Sequence, residues 1–151
     1  MMVMNPVRQF MTGDVATIES AGSALDAARL MTEKGKGCLV VVDRGGRPVG
    51  ILTERDFVRR IIKEDLSPAG VRVSSVMSKP LVTIGPEVSI HEAAKTMVEH
   101  RIRRLAVVDG GKLVGIITAT DFAKLLGWDA EKRKMDPDMI VQAMIRYYCL
   151  Q

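Results

Sequence analysis

The sequence predicts an α/β (α+β) fold in which two strand-helix-strand-strand-helix units pack about a pseudo-twofold axis and an extra C-terminal helix follows. Three observations predict it. The chain of 151 residues is 47% hydrophobic and 26% charged, which is typical of a folded globular protein and excludes disordered and fibrous classes. The chain repeats itself internally. Within each copy, strand-like and helix-like patterns alternate in the same order.

The internal repeat keeps a constant spacing. Thr17-Ile18 recurs 66 residues later as Thr83-Ile84. After a one-residue deletion in a glycine turn the offset becomes 65, and the segment 50–57 matches the segment 115–122. Chance matches and low complexity do not keep such a register, so the chain holds two copies of one structural unit.

Each copy opens with a short alternating strand, predicted at Val15–Ile18 and at Leu81–Ile84. A helix follows in both copies. Its start is predicted at Ser23 and at Ser89, because a serine side chain can accept hydrogen bonds from the free amides of the first turn. Alanine and methionine then recur at helical spacing, which gives a narrow apolar stripe. The first of these helices is predicted to end at Gly35.

Two apolar strands and a second helix complete each copy. In the first copy the strands are predicted at Cys38–Val42 and Val49–Leu52, and the glycine-rich turn between them indicates a hairpin. The last helix of the two copies is predicted to begin at Thr53 and at Thr118 respectively.

The repeat divides the chain into three regions. Residues 1–66 hold the first unit with an N-terminal segment, 67–127 hold the second unit, and 128–151 hold a charged linker and a helix. Proline and an acidic first turn mark the start of that last helix near Asp136. Its apolar stripe is expected to pack either on its own module or on another subunit.

Charge and composition narrow the choice of partners. The chain has 22 Lys and Arg against 18 Asp and Glu, a net charge of +4, which favours anionic partners without reaching the charge density of a polyanion binder. Aromatic residues make up only 4%, which is few for stacking nucleic-acid bases. Nucleic-acid binding is therefore the contrasting hypothesis. It would use a basic surface made of Arg59, Arg60, Arg101, Arg103, Arg104 and residues 132–134.

No catalytic or metal-binding pattern is found in the sequence. Cys38 and Cys149 are spaced neither as a zinc site nor as a redox pair. His91 and His100 lack a placed nucleophile or an orienting partner, so we expect no enzymatic activity. The sequence has no signal-peptide pattern and no run long enough to span a membrane, and a cytoplasmic location is expected.

The candidate binding sites are the N-termini of the last helix in each copy, predicted at Thr53 and Thr118. A helix N-terminus presents unpaired amides and a partial positive charge, which suit a phosphate. Thr53 and Thr118 could each donate a hydroxyl to that phosphate, and Asp56 and Asp121 could each accept from both hydroxyls of a ribose. Thr-x-x-Asp is also an ordinary helix cap, and one copy alone would favour that interpretation. The duplication favours a binding role.

Over residues 7–127 the chain resembles a tandem pair of CBS domains, the cystathionine-beta-synthase domain family, often called a Bateman module. The resemblance is carried by two segments of the form Gly-apolar-apolar-Thr-x-x-Asp, each after an apolar strand and a glycine turn. It implies binding of an adenine nucleotide or adenosyl ligand in clefts between the units, regulation of a partner protein, a homodimer, and little chemistry. AMP, ADP, ATP, NAD and S-adenosylmethionine are not distinguished.

Such a ligand would need an apolar slot for its adenine. The strands beginning at Val15 and Leu81, together with Ile102, could supply one. Thr17 and Thr83 either line that cleft or pair across strands, and both interpretations stay open.

The two copies differ in charge. Arg103 and Arg104 lie before the second hairpin, where the first copy has Gly37 and Cys38, and Arg103 resembles residues that contact phosphate in some family members. Glu54 opposes an anion in the first copy. We therefore expect the second site to bind phosphate more tightly, although Arg103 could instead serve the first. A structural dimerisation module without any ligand is the third hypothesis.

Overall fold

A computed structural model describes residues 5–122 and 124, and it has the expected mixed α/β architecture. Two three-stranded sheets, each accompanied by helices, confirm the fold class. The predicted linker and helix in 128–151 lie outside the described residues.

The elements of the first repeat follow the predicted order. Its bounds are β1 Thr17–Glu19, α1 Ala24–Lys34, β2 Cys38–Val42, β3 Pro48–Thr53 and α2 Glu54–Phe57, which continues with π-helical turns over Val58–Ile62. The second repeat is preceded by a short helix α3, Val73–Val76. It then contains β4 Thr83–Ile84, α4 Ile90–His100, β5 Arg104–Asp109 and β6 Lys112–Thr118, and a helix α5 is described over 119–122.

Both long helices begin where local chemistry predicts. The Ser23 side chain accepts a hydrogen bond from the Asp26 amide at 3.0 Å, and the Ser89 side chain accepts one from the Glu92 amide at 3.2 Å. Gly35 ends α1 in the left-handed conformation, with φ of 61°, where a side chain would be strained. Arg101 takes the same conformation at the end of α4, with φ of 53°.

The sheet register decides which ends of the strands meet. β1 runs parallel to β2 with Thr17 opposite Val40, and β2 runs antiparallel to β3 with Cys38 opposite Thr53. The starts of β1 and β2 therefore lie at the same edge of the sheet as the end of β3. The second sheet has the same order, with Thr83 opposite Ala106 in its parallel pair.

The described residues form two compact units. Residues 14–82 with 110–113 form one, here called the first-repeat unit. Residues 5–13, 83–109 and those described after 113 form the other, the second-repeat unit. Each unit thus contains the segment that precedes the other repeat in sequence. The boundaries at 66 and 127 describe the sequence repeat and stay predictions.

The core of the first-repeat unit includes residues from the segment that precedes the second repeat in sequence. Small residues on α1 allow the helix to approach the sheet closely. Val73, Val76 and Met77, which precede β4 in the chain, are buried in this core. The cluster consists of Ala24, Ala27, Met31, Leu39, Val41, Leu52, Ile61, Val73, Val76 and Met77.

Candidate functional site

The two Thr-x-x-Asp motifs occupy equivalent places in their units. Each lies where the third strand of a sheet passes into a helix. Because the starts of the first two strands meet the end of the third there, the motif shares one edge of the sheet with several other predicted site residues.

The carboxylate of Asp56 is buried and already holds its own helix start. Only 6% of the residue is exposed. Its Oδ2 accepts hydrogen bonds from the Thr53 amide at 2.9 Å and from the Thr53 hydroxyl at 3.3 Å. This is a capping box, so the structural role that the sequence also suggested is present at this motif.

Two further residues, Ser78 and Arg60, link the same carboxylate to the segment 76–78. The Ser78 hydroxyl donates to Asp56 Oδ1 at 2.9 Å. Arg60 Nε lies 3.9 Å from the same oxygen, and its Nη1 donates to the carbonyls of Val76 at 3.0 Å and Met77 at 2.7 Å. Asp56 therefore ties its helix start to residues 76–78.

The second motif repeats the cap but not these additional contacts. Asp121 Oδ2 accepts from the Thr118 amide at 2.8 Å and from the Thr118 hydroxyl at 3.2 Å. The Asp121 amide donates in turn to the Thr118 hydroxyl at 3.4 Å. Asp121 is only half-buried, and within residues 5–122 and 124 no donor reaches its Oδ1. Equivalent residues thus have different spare hydrogen-bonding capacity.

The first helical amide after each threonine is also engaged. The Glu54 amide donates to the Gly37 carbonyl at 3.2 Å, and the Ala119 amide donates to the Arg103 carbonyl at 2.9 Å. A phosphate at either helix start would therefore rely on the other amides of the first turn and on a threonine hydroxyl turned away from its aspartate. The bond from Ala119 also fixes the backbone of Arg103 beside the second motif.

A cavity of about 210 Å³ opens beside the start of β1 in the first-repeat unit. It brings two predicted residues, Val15 and Thr17, together with Lys34 and Lys36 at the end of α1. The remaining lining residues are Asp14, Ala16 and Leu30, so Thr53 and Asp56 do not line this cavity. The two lysines give the first repeat a positive charge that the comparison of the copies did not anticipate.

The two motifs differ in the charge of the residue beside them, which is Glu54 in the first repeat and Arg103 in the second. A β-carbon on Gly37 would lie 3.7 Å from the Glu54 carboxylate carbon, so this acidic side chain covers the position that Arg103 occupies in the second repeat. Arg103 itself is exposed, and Arg104, at the start of β5, is half-buried.

The remaining predicted residues are placed less uniformly. Ile102 is half-buried just before β5. Thr83 is exposed in β4, as Thr17 is in β1. Leu81 is half-buried but belongs to the first-repeat unit, so it is not grouped with Thr118 and Asp121.

Sequence reasoning missed Ser78 and placed Arg60 only on the basic surface of the nucleic-acid hypothesis, although a signal for Ser78 existed. The 66-residue offset extends to the segment before each first strand, where Met11 matches Met77 and Thr12 matches Ser78. Both segments pair with the third strand of a sheet, Thr12 with Ile116 and Ser78 with Ile51. Arg60 had no such signal, since its counterpart in the second repeat is Leu125.

Two general features of the described part of the chain bear on the site. Over residues 5–122 and 124, His, Cys, Asp and Glu form no group of three or more that could hold a metal ion. None of the helices described there is both long enough and apolar enough to cross a membrane.

The chain is similar to known proteins in both sequence and structure. The CBS domain family matches residues 7–63 and again 73–127. The CBS domain-containing protein YhcV of Bacillus subtilis is 38% identical over 120 residues, which are 80% of this chain and 84% of that protein. An uncharacterized protein of Methanopyrus kandleri is 38% identical over 113 residues, which cover 74% of this chain but only 58% of that longer protein.

Solved structures agree with the sequence match. A protein with CBS domains from Burkholderia ambifaria superposes with a TM-score of 0.74 at 35% identity, over 81% of this chain and 93% of its own. A CBS domain protein from Pyrobaculum aerophilum, complexed with AMP, shares the fold with a TM-score of 0.70 at 24% identity, over 77% of this chain and 88% of its own. The two repeats are a tandem pair of CBS domains, and the chain belongs to the CBS domain family.

Proposed function

We propose that this CBS pair binds an adenine nucleotide or a related adenosyl ligand and passes its occupancy to a partner protein, acting as a sensor and not as an enzyme. The observation that carries the proposal is the duplicated arrangement of Thr53 with Asp56 and of Thr118 with Asp121, each at the edge of a sheet where strand starts also meet. The AMP complex of the Pyrobaculum protein makes AMP the first ligand to test.

The chemistry of each motif suits a nucleoside phosphate. A carboxylate accepts hydrogen bonds from a ribose diol, and a helix start with a hydroxyl attracts phosphate. In the first repeat, Lys34 and Lys36 add positive charge beside Val15 and Thr17. In the second, Arg103 and Arg104 supply it next to Thr118. ADP, ATP, NAD and S-adenosylmethionine carry the same adenosyl group and belong in the same panel.

The two motifs are proposed to bind with unequal affinity. Asp121 keeps one carboxylate oxygen free of donors from the described residues, and the Arg103 carbonyl accepts from the Ala119 amide of the same motif. Asp56 is surrounded by donors, and the acidic Glu54 lies nearby. We therefore expect the Thr118 and Asp121 motif to bind the phosphorylated ligand more tightly.

Transmission requires that the ligand prefer one arrangement of the protein over another, since a ligand with equal affinity for two states shifts neither. We propose that the protein acts in the cytoplasm as a homodimer whose partner is a protein.

Isothermal titration calorimetry with AMP tests the proposal. The wild type, Asp56→Ala, Asp121→Ala and the distant surface variant Glu99→Ala would be titrated under the same conditions. We expect Asp121→Ala to lower affinity at least tenfold and Glu99→Ala to match the wild type. Absence of binding by AMP and by the rest of the adenosyl panel would contradict the proposed function and favour the structural module. Salt-dependent binding to random duplex DNA that Asp121→Ala leaves unchanged would favour the nucleic-acid hypothesis.

A further inference from the structure

We propose that Ser78 and Arg60 make the Asp56 carboxylate a latch, so that ligand binding at the first motif and anchoring of residues 76–78 are competing uses of the same group. The inference rests on the proposed function. It adds that Ser78 sets the ligand affinity of the first motif, and that ligand binding there changes how residues 76–78 are held. It is carried by the contacts within the first-repeat unit.

The Asp56 carboxylate has few hydrogen-bond acceptor positions left for a ligand. An ionised carboxylate offers about four, two on each oxygen. At Asp56 three are filled, two by the amide and hydroxyl of Thr53 and one by the hydroxyl of Ser78. Arg60 Nε lies 3.9 Å from the oxygen that holds the remaining position, and the Asp56 side chain is only 8% exposed.

A ribose diol needs two acceptor positions on that carboxylate. The Thr53 amide belongs to the backbone of the helix start and cannot leave without unwinding it. The Thr53 hydroxyl, at 3.3 Å, releases one position on Oδ2 when it turns to the phosphate. The second position must come from Oδ1, which accepts from the Ser78 hydroxyl at 2.9 Å and has Arg60 Nε 3.9 Å away. The Ser78 hydroxyl can rotate away at little cost, so it is the donor on Oδ1 that a ribose displaces. At Asp121 the corresponding oxygen accepts from no donor among residues 5–122 and 124, so the second motif can bind without such a displacement.

Ser78 also connects its own segment to the sheet. Its backbone pairs with β3 in both directions, from the Ser78 amide to the Ile51 carbonyl at 2.8 Å and from the Ile51 amide to the Ser78 carbonyl at 3.1 Å. Arg60 donates to the two preceding carbonyls. The hydroxyl bond to Asp56 and the arginine bonds thus hold residues 76–78 against the sheet. Five residues later the chain enters β4 of the second repeat. Releasing Ser78 loosens the segment that leads there.

The test isolates the first motif by using full-length protein with Asp121→Ala as the background. AMP is titrated by calorimetry into this variant, into the same variant with Ser78→Ala, and into a matched control with Ser75→Ala, an exposed serine on α3. Removing the competing hydroxyl is expected to raise AMP affinity roughly tenfold, the effect of one hydrogen bond to a charged group. Ser75→Ala is expected to leave affinity unchanged.

Amide hydrogen exchange supplies a second readout. In the Asp121→Ala background AMP is expected to speed exchange at Ser78 and Ile51, and Ser78→Ala is expected to speed it without ligand. Unchanged or weaker AMP binding by Ser78→Ala, or exchange at these amides that AMP does not alter, overturns the latch while leaving the proposed function standing. A lack of AMP binding by the wild type and by both Ser variants overturns the proposed function and the latch with it.

Discussion

Asp56 and Asp121 show how one sequence motif can acquire two energetic roles. Both carboxylates cap their own helix start. Only Asp56 is buried and also accepts from Ser78. Removing a buried carboxylate that satisfies three part-buried donors costs more than removing a half-buried one that serves only as a cap, because more donors lose their bond without regaining full access to water.

We therefore predict that Asp56→Ala lowers the free energy of unfolding more than Asp121→Ala does. The expected losses are about 3 kcal/mol for the buried carboxylate and about 1 kcal/mol for the cap. Urea denaturation without ligand measures both. Equal losses would contradict the difference in burial and bonding described above.

A third carboxylate, Asp43, organises the turn of the first hairpin. Its Oδ1 accepts from the amides of Arg47 and Gly45, both at 2.9 Å, and its Oδ2 accepts from Arg47 Nε at 3.0 Å. The Arg47 amide contributes most to holding the pKa of Asp43 below its ordinary value of 3.8, and the guanidinium and the Gly45 amide act in the same direction.

This lowered pKa predicts a pH-dependent effect of Asp43→Asn. A depressed pKa stabilises the folded state above the ordinary value, and the contribution disappears as pH falls through the folded value. The melting temperature of Asp43→Asn should therefore lie below that of the wild type at pH 7 and approach it below about pH 4. Asp109→Asn, at the matching position of the second hairpin, is the control. A gap that stays constant from pH 7 to pH 3 would refute the assignment.

At the scale of elements, each third strand packs against a methionine from a distant segment. A β-carbon on Gly50 would lie 2.6 Å from the Met77 sulfur and 3.0 Å from the Ser78 carbonyl oxygen. In the second-repeat unit, Gly115 meets the Met11 sulfur in the same way, with the Thr12 carbonyl oxygen 3.0 Å away. The glycine that opens each Gly-apolar-apolar-Thr segment is therefore required because a methionine and a backbone carbonyl of another segment pack directly against it.

Gly50→Ala is predicted to destabilise the protein by roughly 1 to 3 kcal/mol, because the Met77 side chain can shift but the Ser78 backbone cannot follow without breaking its pairing with Ile51. Chemical denaturation measures the loss. Gly70→Ala is the matched control, since a β-carbon there meets nothing within 4 Å. A Gly50→Ala protein as stable as the control would show that the close contact is not limiting.

At the scale of the whole molecule, apolar surface remains exposed on the first repeat. Val58 is 57% exposed, Ile62 is 68% exposed and Leu66 is 47% exposed. Val58 and Ile62 both lie on the π-helical turns that follow α2, and contiguous exposed apolar surface is typical of a contact site.

We expect the full-length chain to be a dimer with twice the monomer mass of 16.6 kDa. Light scattering or native mass spectrometry measures it, and a chain ending at Gly127 tests the contribution of the last region. A monomer at micromolar concentration would contradict the homodimer proposal.

Prediction from sequence succeeded where the determining interactions are local. Ser23, Ser89 and Gly35 cap their helices within four residues, so their roles follow from neighbours in the chain. The repeat also predicted the order of strands and helices in each copy, because two segments with the same apolar spacing form the same structural unit. It did not predict α3, which lies between the boundary at 66 and β4.

By itself the sequence determined the duplicated α/β unit, the place of both Thr-x-x-Asp motifs and the charge contrast between Gly37 and Arg103, because periodicity, capping and composition are properties of nearby residues. Only the tertiary structure decided which aspartate already accepts a hydrogen bond from a distant segment. Ser78 lies 22 residues from Asp56 along the chain, and the contact forms because folding brings residues 76–78 back against β3. The spare bonding capacity of a carboxylate depends on such distant donors, so two motifs alike in sequence differ in what they can still bind.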